Sequence, residues 1–353
     1  MEFWQASLLI LGLSAFPYIV YTLGIFFGIK QPFVESINAP MPRITVIFSA
    51  YNEGKNIEKR LKNLKDCAYP KMELVIIDDR SSDNTFAELK KWLWELNFTY
   101  HLIRNETRMG VSASYNKAIS EAKTEIIILT DADVLFKHNA IHKIVERLIS
   151  DPEIGAVTGD LQPDGARYQS LVMEEQYRSV YGDMCAWESA WDSTFNFNGA
   201  LIAFKKTAVQ SISKNGADDA NLAFAAIRNG YRAVYEKGAI VYEIVPTSFD
   251  IQYHQKVRRA HGILLSMREN LDLLSGHRMF TDFYILRMWM YFCSPFLFFT
   301  GILLFWQFGI LFAVMAIISS MIRAFVLNQV YLIAGIFYRK DTTVWESTSG
   351  VTA

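Results

Sequence analysis

An apolar run that ends in two carboxylates constrains the fold of this chain more than any other feature. Residues 126–129 read Ile-Ile-Ile-Leu, and Thr130, Asp131, Ala132 and Asp133 follow directly. Such a run is typical of a strand buried on both faces of a parallel sheet. Ligands of these sheets bind beyond the carboxyl ends of the strands, so a binding edge is predicted here. Two carboxylates at this spacing suit a hard divalent cation that also holds phosphate oxygens, although aspartates also cap helices.

The sequence around this run predicts more strands of the same sheet. Short apolar runs alternate with helical patterns, and strands are predicted at residues 43–49, 74–77, 102–103 and 126–130. Polar clusters follow three of them, namely Tyr51-Asn52-Glu53, Asp78-Asp79 and Asp131/Asp133. Because the carboxyl ends of parallel strands share one edge, these clusters are expected to converge. We therefore predict an α/β fold with a Rossmann-like, mostly parallel sheet. Neither G-x-G-x-x-G nor G-x-x-x-x-G-K-[ST] occurs, which argues against dinucleotide-binding and P-loop folds.

The apolar residues are concentrated towards the two ends of the chain. Residues 7–29 carry no charge and are long enough to cross a bilayer. Glu2 is the only charge before them, which favours an uncleaved anchor over a secretory signal peptide. Residues 288–306 and 308–322 predict two further transmembrane helices, while residues 324–338 either extend the last helix or lie along the membrane interface.

Basic residues beside the apolar runs predict the topology. Lys30 and Arg43 follow the first run, and Arg339 and Lys340 follow the last. The positive-inside rule therefore predicts that the N-terminus lies outside and that the C-terminus and the domain between the apolar runs are cytoplasmic. The predicted organisation is an N-terminal anchor at 1–30, a cytoplasmic domain at 41–250, an amphipathic interfacial segment at 251–285, transmembrane helices at 286–340 and a polar tail at 341–353.

Charge and cysteine usage narrow the possible partners. The net charge of −1 gives no support for bulk electrostatic binding of nucleic acid. The three cysteines are far apart and odd in number, without metal-ligand spacing or a disulfide framework, as suits a reducing compartment.

Several motifs, in one order along the chain, resemble the family-2 glycosyltransferases of the GT-A fold. They are S-A-Y-N-E at 49–53, I-I-D-D-R-S-S-D-N-T at 76–85, T-D-A-D at 130–133, N-G-A-L-I-A-F-K-K at 198–206, A-D-D-A-N-L at 217–222 and Q-K-V-R-R at 255–259. The resemblance covers residues 43–259, and the flanking apolar segments are typical of membrane-integrated members. It implies a GT-A domain flanked by one N-terminal and two or three C-terminal apolar helices.

The resemblance also implies an inverting transfer from a nucleotide-diphosphate sugar, with a role for each matching residue. Asp219 would be the catalytic base, and Asp131 and Asp133 would hold Mg²⁺ or Mn²⁺. The implied donor-binding residues are Ala50, Tyr51, Asn52, Glu53, Asp79, Asp131, Ala132 and Asp133. The implied acceptor- or diphosphate-binding residues are Asn198, Gly199, Asp218, Gln255, Arg258 and Arg259.

Other interpretations of these residues stay open. Asp218 and Asp219 precede a predicted helix at 222–228 and could cap it. Arg258 and Arg259 could face anionic lipid headgroups. Two departures from the family pattern leave the acceptor and processivity open: Arg259 replaces the tryptophan of Q-x-x-R-W, and the turn Gly110-Val111-Ser112 lacks the lysine of many polymerising members.

Three functions fit these motifs. The first is transfer of a sugar from a UDP- or GDP-sugar to a lipid or lipid-linked saccharide acceptor at the cytoplasmic face, in contact with membrane lipids. The second is a processive polysaccharide synthase that extrudes its polymer. The third is a catalytically silent membrane scaffold that binds nucleotide sugar. The sequence leaves the donor, the acceptor and the oligomeric state open.

Overall fold

The computed structural model of the protein describes residues 2–28, 40–164, 169–245, 248–276 and 278–339. These residues form two compact units. We call residues 40–164 and 193–244 the sheet unit, and residues 2–28, 169–192, 245, 248–276 and 278–339 the helical unit. The predicted polar tail at 341–353 lies outside the described residues, as do Lys30 and Lys340, on which the topology prediction partly depends.

The sheet unit contains an eight-stranded sheet in the order β3-β2-β1-β4-β7-β6-β8-β5. Its strands are β1 (Ile44–Ala50), β2 (Met72–Asp78), β3 (Tyr100–Arg104), β4 (Ile126–Leu129), β5 (Leu135–Phe136), β6 (Ile154–Asp164), β7 (Ile202–Lys205) and β8 (Arg232–Ile244). The first four strands pair in parallel, as do β6 and β8. Strand β7 runs antiparallel to both of its neighbours, and β5 runs antiparallel to β8. The predicted α/β fold with a mostly parallel sheet is confirmed.

Helices pack on this sheet through one apolar face each. They are α2 (Gly54–Asp66), α3 (Thr85–Glu95), α4 (Val111–Glu121), α5 (Ala140–Ile149) and α7 (Asp218–Arg228). In α2 the buried apolar residues Ile57, Leu61 and Leu64 recur at the spacing of one helical face. They belong to the same core cluster as Phe48 of β1 and Ile76 of β2. The loops at the carboxyl ends of β1, β2 and β4 are therefore carried on a rigid core.

The helical unit consists of helices from three separate stretches of the chain. They are α1 (Phe3–Phe27), α6 (Gln169–Trp191), α8 (Phe249–Glu269), α9 (Met279–Met288), α10 (Ser294–Leu304), α11 (Trp306–Ile318) and α12 (Ser320–Ile336), with a π-helical segment (Trp289–Cys293) between α9 and α10. Two helical stretches, Phe3–Phe27 and Met279–Leu304, are long and apolar enough to cross a membrane. Helices α11 and α12 are apolar but shorter. Hydroxyl groups of α1 donate to backbone oxygens, from Ser7 to Gly301 at 2.6 Å and from Ser14 to Ser294 at 2.8 Å.

The C-terminal helices differ from the predicted segments in two ways. The helix predicted from residue 288 begins nine residues earlier, at Met279, and so includes Arg287, whose charge is paired with Glu188 inside the unit. The helix predicted at 308–322 is interrupted at Ser319, whose extended backbone ends α11. The Ser319 hydroxyl accepts the backbone N–H of Ile322 and so caps α12. Residues 324–336 therefore belong to a separate helix that begins at Ser320.

A buried ion pair joins α6 and α9 in the helical unit. Arg287 Nε lies 2.6 Å from Glu188 Oε1, and both side chains are 1% exposed. Tyr21 of α1 donates its hydroxyl proton to the same carboxylate. The Arg287 guanidinium lies 4.7 Å from the centre of the Tyr21 ring. Three helices therefore depend on this one pair of charges.

We expect Arg287→Met to destabilise the protein by about 3–5 kcal/mol, because it leaves Glu188 as an uncompensated buried charge. Thermal unfolding in detergent micelles measures the effect. Lys62→Met is the control, since Lys62 pairs with Glu58 and the two side chains are 49% and 51% exposed. Equal melting temperatures for the two variants would contradict the importance of the buried pair.

Candidate active site

Three loops that carry the polar clusters leave the sheet from neighbouring strands. Strand β1 lies between β2 and β4, and Ala50 at the end of β1 is in register with Asp78 at the end of β2. Ile47 of β1 is in register with Leu129, the last residue of β4. The predicted donor-binding residues of these loops thus follow adjacent strand ends on one edge of the sheet.

The turn after β1 is joined to the loop after β2 by hydrogen bonds. Asn52 adopts a positive φ of 56°, which asparagine tolerates better than most residues. Its side-chain oxygen accepts the backbone N–H of Ser82 at 2.9 Å, and its own N–H donates to Ser81 Oγ at 3.1 Å. Glu53 is buried, and its N–H donates to Thr85 Oγ1 at 2.9 Å. The turn is therefore fixed before any ligand binds.

The two aspartates at the carboxyl end of β2 contact different neighbours. Asp78 is fully buried, and its carboxylate pairs with Arg104 Nε at 2.9 Å. Asp79 is also buried and accepts three hydrogen bonds of 2.8 Å, from the Asn105 side chain and from the backbone N–H groups of Met109 and Gly110. Gly110 has a φ of 83° and precedes α4. Asp79 therefore fixes the start of α4, while its role in binding the base and ribose of the donor stays a prediction.

We expect Asp79→Asn to lower stability by about 1–3 kcal/mol, because its amide can present a donor to backbone N–H groups that need an acceptor. If Asp79 also orders the base-binding edge, the donor KM rises beyond what the loss of folded protein explains. Steady-state kinetics and thermal unfolding of the same samples separate the two effects. Asp151→Asn, at another turn, is the control, since Asp151 likewise accepts a backbone N–H. An unchanged donor KM in Asp79→Asn limits the residue to a structural role.

The D-x-D loop after β4, which carries Asp131 and Asp133, is held in place through Thr130. This residue is fully buried, accepts a hydrogen bond from Arg60 Nη2 at 2.7 Å and donates to the carbonyl of Ala200 at 2.7 Å. Its own carbonyl accepts from the Tyr115 hydroxyl at 3.1 Å. The same hydroxyl lies 3.5 Å from Asp131 Oδ1. The backbone directly before Asp131 is thus held in place by several side chains.

Tyr115 marks the point where the acidic residues converge. Burial raises the pKa of Tyr115 well above its ordinary value, and the negative charges of Asp131, Asp218 and Asp133 act in the same direction. Tyr115 therefore stays protonated near neutral pH, and its hydroxyl can donate a hydrogen bond to the site. Asp218 of α7 shares the environment of the D-x-D pair.

The D-x-D residues fit a divalent cation that takes part of its ligands from a substrate. An ideal Cβ placed on Gly199 would lie 3.8 Å from Asp131 Oδ2, so the glycine leaves the space in front of this carboxylate open. Within the described residues, no group of three or more His, Cys, Asp or Glu side chains is arranged to hold a metal. A pair of carboxylates suits Mg²⁺ or Mn²⁺ that keeps waters and binds phosphate oxygens.

Asp218 and Asp219 occupy the first turn of α7. The N-cap residue is Ala217, so neither aspartate is itself the cap. Asp219 Oδ1 accepts the backbone N–H of Ala220 at 2.7 Å. Negative side chains in the first turn of a helix are stabilised by the helix dipole. The chain thus presents two partly exposed carboxylates at this helix end.

The remaining predicted residues fall into two groups. Asn198 lies beside Gly199; its side-chain N–H donates to the Gly159 carbonyl at 2.7 Å, while its Oδ1 is buried without a hydrogen-bond partner among the described residues. Gln255, Arg258 and Arg259 lie on α8 of the helical unit. Their roles stay predictions.

Three side chains around the site were not predicted from the sequence. Tyr115 and Arg60 lie on the buried faces of α4 and α2. In the sequence, only their polar groups among apolar neighbours of the same helix face could have indicated a role. Arg108 lies with its guanidinium 3.6 Å from the centre of the Tyr51 ring. Because this contact joins two loops, the hydrophobic periodicity of helices and strands could not predict it.

Comparison with protein families gives two matches that together span most of the chain. The model described as glycosyl transferase family 2 matches residues 45–206. The model described as glycosyl transferase family group 2 matches residues 126–338, which is more than half of the chain.

Curated relatives and a solved structure agree with these matches. The poly-beta-1,6-N-acetyl-D-glucosamine synthase of Staphylococcus aureus (strain COL) is 30% identical over 227 residues, covering 62% of this chain and 54% of that protein. The synthase of the same name from Staphylococcus epidermidis is 26% identical over 261 residues, covering 69% and 61%. The chain thus spans about half the length of the first of these relatives.

The mannosyltransferase PcManGT from Pyrobaculum calidifontis, solved in complex with GDP-Man and Mn²⁺, has the same fold. Its TM-score is 0.81 at 23% identity, and the match covers 95% of this chain and 98% of that one. The fold, the ordered motifs and the family matches agree with one another. The protein is a glycosyltransferase, and it belongs to the family-2 glycosyltransferases.

Proposed function

We propose that the protein transfers one sugar, with inversion, from a nucleotide-diphosphate sugar to a lipid or lipid-linked acceptor at the cytoplasmic face of a membrane. The observation that carries this proposal is the convergence of Asp131, Asp133 and Asp218 around Tyr115, beside the fixed turn at 51–53. The two helical stretches of membrane-crossing length support a membrane-borne acceptor.

The proposed donor site uses the edge of the sheet. The turn at 51–53 and Asp79 would bind the base and ribose, and Arg108 above Tyr51 adds positive charge near the donor. Asp131 and Asp133 would hold Mg²⁺ or Mn²⁺, which would neutralise the negative charge that develops on the leaving diphosphate. The structural neighbour was solved with GDP-Man and Mn²⁺, which makes a GDP-sugar and Mn²⁺ the first combination to test.

The proposed chemistry at the acceptor needs a base and a phosphate-binding group. Asp219 would accept the proton of the acceptor hydroxyl, which is a poor nucleophile until it is deprotonated. Attack from the side opposite the leaving diphosphate inverts the anomeric carbon. Arg258 of α8 would bind phosphate oxygens with its planar guanidinium, and Gln255 and Arg259 would line the acceptor.

A processive polysaccharide synthase is the second candidate, and one observation favours it. The curated relatives are named poly-beta-1,6-N-acetyl-D-glucosamine synthases. Because the chain spans about half of the first of them, that activity reaches this chain only as a proposal. Product length distinguishes the two candidates, since a single transfer gives one sugar per acceptor and a synthase gives a polymer.

Donor turnover by the purified protein tests the proposal. Each of a panel of UDP- and GDP-sugars is incubated with Mn²⁺, Mg²⁺ or EDTA, with and without native lipid extract. We expect turnover of one donor that requires a divalent ion and rises when lipid is present. Folded protein that turns over no donor under any of these conditions would contradict the proposal and favour the silent scaffold.

A further inference from the structure

Arg60 is a buried cation for which the proposed reaction gives no role. It lies on α2, is 1% exposed, and follows Ile57 by three positions on the apolar face of the helix. Its Nε is buried without a hydrogen-bond partner among the described residues. Burying a guanidinium is costly, so a position of this kind requires a compensating function.

The contacts of Arg60 all lead to the D-x-D loop. Nη2 donates to Thr130 Oγ1 at 2.7 Å, directly before Asp131. The guanidinium carbon lies 4.2 Å from the centre of the Phe136 ring, three residues after Asp133. Nη1 donates to Asn63 Oδ1 at 3.3 Å, and this oxygen also accepts the Phe136 backbone N–H at 2.7 Å. One side chain therefore holds both ends of the loop that carries the two carboxylates.

A second contact of Thr130 extends this arrangement to the neighbouring loop. Thr130 Oγ1 accepts from Arg60 and donates to the carbonyl of Ala200 at 2.7 Å. Ala200 follows Gly199, and an ideal Cβ placed on Gly199 would lie 3.8 Å from Asp131 Oδ2. Arg60 thus sets the separation between the Asp131 carboxylate and the segment that faces it.

Arg60 can affect cation binding by Asp131 and Asp133 in two opposite ways. The positive charge of Arg60 lies near Asp131 and Asp133, and by itself it would weaken the attraction of these carboxylates for a cation. Holding the carboxylates in one geometry strengthens binding, because less conformational freedom is lost when the ion arrives. The hydrogen bond to Thr130 and the stacking on Phe136 favour the second effect.

We propose that Arg60 is a positioning residue of the metal-binding loop, which holds residues 130–136 at both ends so that Asp131 and Asp133 receive the divalent ion of the donor complex. This inference rests on the proposed function, since it takes the D-x-D pair as the metal ligands. Lysine cannot replace arginine fully here, because its single ammonium lacks the planar fork that contacts Thr130, Asn63 and Phe136 together.

Direct Mn²⁺ binding tests the proposal without relying on turnover. The EPR signal of free aqueous Mn²⁺ is followed in titrations of the purified full chain, at a fixed excess of nucleoside diphosphate, with protein-free nucleotide titrations subtracted. We expect Arg60→Met to raise the Mn²⁺ dissociation constant by about 10-fold, within the range usual for residues that orient metal ligands. Arg60→Lys should fall between the wild type and Arg60→Met.

Arg147 provides a matched control in the same unit. It lies on α5, is 6% exposed, and its Nε is likewise buried without a partner among the described residues. The charges that act on it belong to Glu236, Arg232 and Asp151 and not to the D-x-D pair. Arg147→Met removes a comparable buried cation, so we expect it to lower the melting temperature and to leave the Mn²⁺ dissociation constant unchanged.

A second variant keeps the test decisive if Arg60→Met does not fold. Thr130→Val removes the hydroxyl that accepts from Arg60 but keeps the size of the side chain, and it should also weaken Mn²⁺ binding. Unchanged Mn²⁺ binding in folded Arg60→Met, or in Thr130→Val, overturns the positioning role. Tighter Mn²⁺ binding in Arg60→Met would show that the charge of Arg60 opposes the cation, and it would overturn the positioning role too.

The double variant Asp131→Asn/Asp133→Asn tests the metal site itself. Unchanged Mn²⁺ binding in this variant contradicts the proposed function and not only the role of Arg60.

Discussion

The Asp219→Asn variant is expected to lose about 10²–10⁴-fold in kcat, the usual contribution of a positioned general base. The side chain keeps its size and its acceptor oxygen for the Ala220 N–H, so α7 should still form. The donor KM should change little, because the proposed role of Asp219 concerns the acceptor proton. Initial rates with a saturating donor and lipid extract measure both parameters.

Two controls separate catalysis from helix stability. Glu88→Gln removes an acidic residue from the first turn of α3 and should cost only about 0.3–1 kcal/mol without changing kcat. Asp218→Asn tests the neighbouring carboxylate, for which we expect a raised KM and a smaller loss of kcat. If Asp218→Asn abolishes turnover while Asp219→Asn keeps it, the base has been assigned to the wrong residue of the pair.

The second large effect is expected at the D-x-D pair. Asp131→Asn or Asp133→Asn should lower kcat/KM for the donor by about 10²-fold or more, because each removes an anionic ligand from a site that neutralises the leaving diphosphate. The concentration of Mn²⁺ needed for half-maximal activity should rise in the same variants. Metal titrations of initial rates give both values.

An acidic residue outside the site provides the control for this experiment. Asp66→Asn changes an exposed carboxylate at the end of α2 and should behave as the wild type. Full activity of Asp131→Asn in EDTA would contradict metal-dependent catalysis at this pair. Loss of activity without any change in the metal requirement would instead indicate that the aspartates act on the donor directly.

The strands that carry the site could be predicted from the sequence, because their signal is local. The apolar run bounded by polar residues predicts a strand at 126–130, and β4 follows it from Ile126 to Leu129, one residue shorter. The strand predicted at 74–77 lies within β2. Parallel pairing then brings their carboxyl ends to one edge, as expected. The prediction succeeds where residue pattern and topology depend on short stretches of chain.

Features that depend on contacts distant in sequence could not be predicted in the same way. Strand β7 has four residues within a segment first interpreted as a binding motif, and its antiparallel direction is set by pairing with β4 and β6. The break at Ser319 has no glycine or proline to mark it. Arg60 appears in the sequence as one of several basic residues of α2, and only its burial separates it from the exposed ones.

The acceptor is the part of the proposal that the sequence left most open. Arg259 stands where the family motif has tryptophan, and it is exposed on α8. Gln255 and Arg258 lie three positions apart on the same helix, so they share one face. A helix that presents cations beside membrane-length helices suits a phosphate-bearing lipid, which supports a lipid-linked acceptor over a free sugar.

Partitioning of a labelled sugar tests the central claim most directly. The purified protein is given the radiolabelled donor that it turns over, its preferred metal ion and native lipid extract, and the products are divided between organic and aqueous phases. The proposed function predicts label in the organic phase, with one sugar per acceptor and none in Asp219→Asn. Label that stays in the aqueous phase as long polymer or as a glycosylated soluble sugar would contradict transfer of one sugar to a lipid acceptor.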